Sequence, residues 1–208
     1  PDHKGFSRRI DYACMFCHNA YPELPDGADS HGKDPLFPSN LPTGIDCQRC
    51  HGPGSDHLKA LRLGAPIESI QESIVNPAKL DSNRELEVCL QCHLESTTKA
   101  LPAMIRNYDK GFFSFQPGKV LGKYILHFDT SDQENAKERF EVNHAGYRFL
   151  KSACFRKSQG KVTCLTCHNP HRSAASPEAR KAYLDACNRC HINQLESLAL
   201  KEHHPSGE

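Results

Sequence analysis

Cys-x-x-Cys-His occurs five times in this 208-residue chain, and no other feature constrains its folding as much. The copies run Cys14 to His18, Cys47 to His51, Cys89 to His93, Cys164 to His168 and Cys187 to His191. Every Cys-x-x-Cys pair is followed at once by His. With 13 His in 208 residues, chance would do this on the order of one time in a million. The spacing carries chemistry. Two thiols three positions apart lie on one helical turn, where they reach the two vinyl groups of one porphyrin. The adjacent imidazole then ligates the iron from the proximal side. Zinc ribbons also use Cys-x-x-Cys pairs, but they need no His after each one. Thioredoxin-like sites use one pair, not five, and a disulfide framework has no use for the His.

The expected cofactor is therefore haem c, five copies, each covalently attached. The thioether residues are Cys14, Cys17, Cys47, Cys50, Cys89, Cys92, Cys164, Cys167, Cys187 and Cys190, and the proximal ligands are His18, His51, His93, His168 and His191. Cys154 is the one cysteine outside a motif; its residue type predicts a small buried apolar side chain, with a reactive thiol or an intermolecular bridge as the alternative.

Composition agrees with a fold built on cofactors. Hydrophobic residues make up 38% of the chain, Trp is absent, and there are 13 Gly and 14 Pro. Such a chain builds little conventional hydrophobic core, and bound groups must supply what is missing. The expected fold is a single multihaem cytochrome c domain over residues 1–208. Short α-helices and ordered loops wrap a haem chain, with a minor β-hairpin. Three motifs cluster within 14–93 and two within 164–191, and the motif-free stretch 94–162 covers haems or docks a partner.

Helices are expected over Arg84 to His93 and Pro177 to His191, the latter opened by a Ser176 cap and Pro177 at the first helical position. Shorter helices are expected over Leu58 to Leu63, Ile67 to Val75 and Ala145 to Ala153. Val120 to Asp129 has the best strand character, with Phe140 to Val142 as its expected partner. Five prolines make Tyr21 to Gly44 an ordered loop.

Eight histidines lie outside the motifs: His3, His31, His57, His127, His144, His171, His203 and His204. Five irons need at most five distal ligands, so every haem can be bis-histidine. Met15 sits inside a motif and Met104 is the only other Met, so low potentials are expected throughout. His171 follows His168 by three residues and cannot cross to the far face of the same porphyrin; Pro170 aims it at an adjacent haem. His57 stands in the same relation to His51, six residues earlier, through Gly52-Pro53-Gly54. His57 and His171 lead the distal candidates, followed by His144, His127 and His3.

The stretches "PDHKGFSRRIDYACMFCHNAYPELP", "GIDCQRCHGPGSDH", "EVCLQCHLEST", "ACFRKSQGKVTCLTCHNPH" and "DACNRCH" resemble the multihaem cytochromes c that bacteria often join to tetratricopeptide repeats. The resemblance covers most of the chain and all five motifs. It implies export and a longer parent chain with further haem motifs in its flanks, and the start at Pro1 without Met reads the same way.

The expected function is electron transfer along five low-spin haems, in the periplasm or at the cell exterior. A variant of that reading makes the chain the subunit of an extracellular conductive filament, a homopolymer whose interface continues the haem array. The alternative is a haem redox enzyme of the nitrite or hydroxylamine type, which needs one open-coordination iron. Expected partners are redox protein donors and acceptors or extracellular metal acceptors. No apolar run reaches the ~18 residues of a membrane span. The formal charge of +1 falls to roughly −4 with five haems bound, which disfavours nucleic acid.

Overall fold

The computed structural model describes residues 10–30, 32–94, 104–128 and 145–191. These residues form short helices and one small sheet. The first helix is α1 (Tyr12–His18), and a long loop leads from it to α2 (Cys47–His51), α3 (Ser55–Arg62) and α4 (Ile67–Glu72). A 3-10 turn (Pro77–Lys79) precedes α5 (Ser82–His93). Strands β1 (Met104–Arg106) and β2 (Ile125–His127) follow, with a 3-10 turn at Leu121–Lys123 just before β2. The chain then forms α6 (Ala145–Lys151), α7 (Ala153–Lys157), a 3-10 turn (Cys164–Thr166) and α8 (Pro177–Asn188).

Helices this short are marginal alone and depend on their ends. Asp11, Asp46 and Asp81 cap α1, α2 and α5, each accepting from backbone N–H groups of the first turn. A carboxylate there satisfies orphan donors and favours the positive end of the helix dipole. Ser176 caps α8 by accepting from the Ala179 N–H at 3.1 Å, with Pro177 in the first turn.

The core lies between α1, α5 and the segment that leads into β2. Phe16, Leu86, Leu90, Phe115, Leu121 and Ile125 are buried together, and Phe113, Tyr124, Phe149 and Phe155 pack on them. Helix α6 lies directly on α5. A Cβ at buried Gly146 would strike the Leu90 side chain and come within 2.6 Å of the His93 carbonyl oxygen, so only glycine permits the approach.

The loop Tyr21 to Gly44 is ordered over its described residues. Tyr12 Oη donates to the Leu36 carbonyl at 2.6 Å and accepts from the Leu36 N–H at 2.9 Å. Asn19 Nδ2 donates to the Pro42 carbonyl at 2.6 Å.

Several expectations are corrected. The stretch Val120 to Asp129 is a strand only over Ile125–His127, because a 3-10 turn occupies its first half. Its antiparallel partner is β1, with Ile105 opposite Leu126 and Arg106 opposite Ile125. Phe140 to Val142 lies outside the described residues. The helix expected over Ala145 to Ala153 breaks at Ser152, whose side chain caps α7. Helix α8 ends at Asn188, short of His191, and α4 ends at Glu72, short of Val75. Cys154 is exposed, not buried: it stands near the start of a one-turn helix whose inward side is taken by Phe155.

Candidate functional site

Each motif makes about one helical turn, α-helical in motifs 1 to 3 and less regular in motifs 4 and 5. Motif 1 is the C-terminal part of α1, motif 2 is the whole of α2, and motif 3 ends α5. Motif 4 turns through a 3-10 segment, and motif 5 closes the last turn of α8. In both of these the His N–H bonds back to the carbonyl of the first Cys: His168 to Cys164 and His191 to Cys187, each at 2.9 Å. Cys i, Cys i+3 and His i+4 therefore share one face, as the spacing requires. None of the ten motif cysteines, nor Cys154, is tied up in a disulfide.

The motifs also meet one another. Cys17 hydrogen-bonds to Cys92, and that bond, with Arg49 alongside, holds the Cys92 thiol below its ordinary pKa despite burial. Cys89 donates to Cys164, which pushes Cys89 up and Cys164 down. Burial, together with the neighbouring Cys92, raises Cys50. Burial, with Cys187 next in effect, raises Cys167. Motif 3 thus touches motifs 1 and 4, with motif 2 beside it, and motif 4 lies beside motif 5.

Imidazole orientation is fixed in two places. His51 Nδ1 lies 2.7 Å from the Val75 carbonyl oxygen. His57 Nδ1 lies 2.8 Å from the Ile70 carbonyl oxygen, where Ser73 Oγ also donates at 2.7 Å. A carbonyl can only accept, so each Nδ1 carries the proton and each Nε2 keeps its lone pair. That tautomer is the one a metal-ligating His needs, with its second nitrogen held by backbone.

His127, on β2, is mostly buried. Its Nε2 has no hydrogen-bond partner, and burial lowers its pKa to about 4, so the ring is neutral. His171 is exposed and sits on a turn where its N–H bonds to Asn169 Oδ1 at 3.0 Å. Its ring lies nearly parallel to that of His51, with centroids 6.0 Å apart and planes 13° from parallel. His168 packs edge-on against Tyr183, centroids 4.9 Å apart. His18, His93 and His191 are exposed. His3, His31, His144, His203 and His204 lie outside the described residues.

Arg49 is the residue that motif reading passes over. It is the second spacer of motif 2, and its side chain is 1% exposed. Its guanidinium lies over the rings of Phe16 (4.3 Å), Tyr21 (4.8 Å) and Phe113 (5.8 Å) and donates to the Phe16 carbonyl. Its Nε and Nη1 have no partner, nor has Gln91 Oε1 beside it. Gln91 Nε2 is engaged, donating to the Arg49 carbonyl at 3.0 Å. A buried cation surrounded by aromatic faces is stabilised by cation–π attraction, and this one ties motif 2 to motif 1. The cue in the sequence was the aromatic at the matching spacer of motif 1, Phe16.

The residues present fit covalent haem. Paired thiols stand on single turns, two imidazoles have their Nδ1 atoms held by backbone carbonyls, and orphan polar atoms of Arg49 and Gln91 are buried within motifs 2 and 3. Near His57, Leu58, Leu61, Leu63 and Ile67 are exposed apolar side chains on α3, α4 and the turn between them, suited to a flat apolar ring. A cleft of about 380 Å³ opens beside His51, walled by Gly52, Pro53, Val75, Pro117 and Gly118. Among the described residues no three His, Cys, Asp or Glu side chains converge to hold a metal ion, which is how a zinc ribbon would be built. Among them, too, no helix is long and apolar enough to cross a membrane.

A family model described as the doubled CXXCH motif matches residues 157–196, which contain motifs 4 and 5. The multiheme cytochrome MtrA of Shewanella baltica (strain OS185) is 24% identical over 208 aligned residues, covering 94% of this chain and 56% of the relative. The chain thus spans about half the length of the curated relative it matches. No solved structure matches it. Five Cys-x-x-Cys-His motifs, a doubled-motif match over the last two of them and a multihaem relative along nearly the whole chain agree, and the chain is similar to the multihaem c-type cytochromes.

Proposed function

We propose that the chain is an electron carrier holding five covalently attached haems in one contiguous array, in an exported protein. The observation that carries this reading is the contact between motifs: Cys17 with Cys92, Cys89 with Cys164, Cys50 beside Cys92, and Cys167 beside Cys187. Groups attached at these thiols stand next to one another, which is the arrangement a relay needs. Each haem iron supplies reversible one-electron chemistry.

The protein's part is to hold and tune. Ten cysteines anchor the rings, and His18, His51, His93, His168 and His191 bind the irons from the proximal side. Val75 and Ile70 carbonyls orient His51 and His57. His57, His127 and His171, with His144 and His3 as further candidates, would serve as distal ligands, and a second imidazole would keep an iron low-spin and closed to substrate. Half-buried, neutral His127 suits this role, since its Nε2 has no hydrogen-bond partner. Donors and acceptors are redox proteins or metal-bearing acceptors outside the cytoplasm.

The test is the intact mass of the purified chain together with a redox titration of the same sample. Five haem masses and five electrons taken up per chain are expected. A smaller haem number, or a stable high-spin iron in the oxidised protein, would overturn the reading.

A further inference from the structure

We infer that His51 and His171 are the two axial ligands of a single iron, that of the haem attached at Cys47 and Cys50. The inference rests on the five-haem reading above and adds to it a specific pairing across 120 residues of sequence.

The spacing of the two rings is that of a ligand pair. A metal–imidazole nitrogen bond is about 2.0 Å long, and the ring centroid lies little more than 1 Å beyond the nitrogen. Two imidazoles on opposite sides of one iron therefore have centroids roughly 6.2 Å apart. The His51 and His171 rings are 6.0 Å apart and 13° from parallel.

Each ring is also held by its own local structure. The Val75 carbonyl takes the Nδ1–H of His51, so its Nε2 is the nitrogen left for iron. The Asn169 side chain fixes the turn that presents His171. Pro170 within that turn limits its freedom further, so little entropy is lost when the ring is captured. His171 is exposed although it faces another imidazole, as expected of a ligand whose covering group is a porphyrin.

The pairing has a structural consequence. His168 binds the haem of motif 4, and three residues later His171 binds the haem of motif 2. The turn Asn169-Pro170-His171 then sets these two haems side by side and staples the C-terminal motifs to the N-terminal ones.

The test uses the haem-loaded full chain and three variants: His171→Ala, Cys47→Ala/Cys50→Ala, and the triple combination. EPR of the oxidised protein reads the spin states, and intact mass reads the haem count. In His171→Ala the count stays at five, one of five low-spin haems is lost and one high-spin haem appears. The lost signal is of the rhombic type that parallel imidazole planes produce. Added imidazole restores it, which separates ligand loss from misfolding. In the double cysteine variant the count falls to four, and adding His171→Ala creates no further high-spin haem. The pairing is overturned if the triple variant still gains a high-spin haem, because His171 then serves another iron. It is overturned equally if His171→Ala leaves five low-spin haems. A wild-type count other than five would instead strike at the function proposed above.

Discussion

Motifs 2 and 5 carry the same residue at the same place, and the protein treats the two copies oppositely. Arg49 in Cys47-Gln48-Arg49-Cys50-His51 is buried among Phe16, Tyr21 and Phe113. Arg189 in Cys187-Asn188-Arg189-Cys190-His191 is exposed and donates to the Thr166 carbonyl at 2.7 Å. The contrast extends to the regions around them. Residues 10–94 with 104–128 enclose a compact cluster of Phe and Leu side chains to which two motif helices, α1 and α5, contribute. In α8 only Ala179 and Ala186 are buried, and Cys187, Cys190 and His191 all face solvent. The first three motifs are held by protein packing as well as by whatever they bind. The last has almost nothing of the protein to pack on. A motif of fixed spacing can thus sit in a conventional core or at its edge, and the flanking aromatics decide which.

The largest effect expected from this contrast is that of withholding haem. The unloaded chain should lose native far-UV circular dichroism, because the buried side chains are too few to order so many loop residues. Any remaining hydrogen-exchange protection should lie in α5 and not in α8. A haem-free chain with the native spectrum would refute the idea that cofactors complete the fold.

Next comes the pair of arginines. Arg49→Ala removes a buried cation, its aromatic contacts and a hydrogen bond, and should cost about 3 kcal/mol in denaturant unfolding of the loaded protein. Arg189→Ala should cost less than about 0.5 kcal/mol, as most surface changes do. Equal costs would erase the distinction between the two regions.

Gly146→Ala should be intermediate, roughly 1–3 kcal/mol, since the new methyl group collides with Leu90 and the His93 carbonyl where α6 crosses α5. It tests whether the C-terminal region is anchored through α6. An unchanged melting temperature would mean that it is not.

The smallest effect is electrostatic. The Glu178 carboxylate, in the first turn of α8, accepts from its own backbone N–H and, next, from Ser176. Both hold its pKa below the ordinary value. A depressed folded-state pKa means a contribution that is present above about pH 4.5 and lost as pH falls through the folded value. Protection of the α8 amides, taken relative to their intrinsic exchange rates, should therefore fall on acidification below about pH 4.5, and less so in Glu178→Gln. Identical acid profiles would remove the capping role.

What the sequence made legible follows from how local each feature is. One turn of helix fixes the relation of Cys i, Cys i+3 and His i+4, so the local turn at each of the five motifs could be read from spacing. The start of α8 at Ser176-Pro177 is equally local and was equally readable. The partner of β2 is not local: Phe140 to Val142 was nearer in sequence, whereas the strand pairs with Met104–Arg106 on its other side. Cys154 misled because a free cysteine's general preference for burial says nothing about which side of a one-turn helix it occupies. Arg49 was passed over because a charged spacer reads as a solvated one until Phe16, Tyr21 and Phe113 are seen to surround it. The facing of His51 and His171 joins parts of the chain that no periodicity links, and only the fold could bring it out.

The central claim is that the five motifs hold one continuous haem array. An electron microscopy or crystal structure of the loaded protein tests it most directly, through the positions of the porphyrins. The account predicts five, with the motif 3 haem adjoining those of motifs 1, 2 and 4, the motif 2 haem beside that of motif 4, and the motif 5 haem next to motif 4. A porphyrin standing apart from all the others would contradict it.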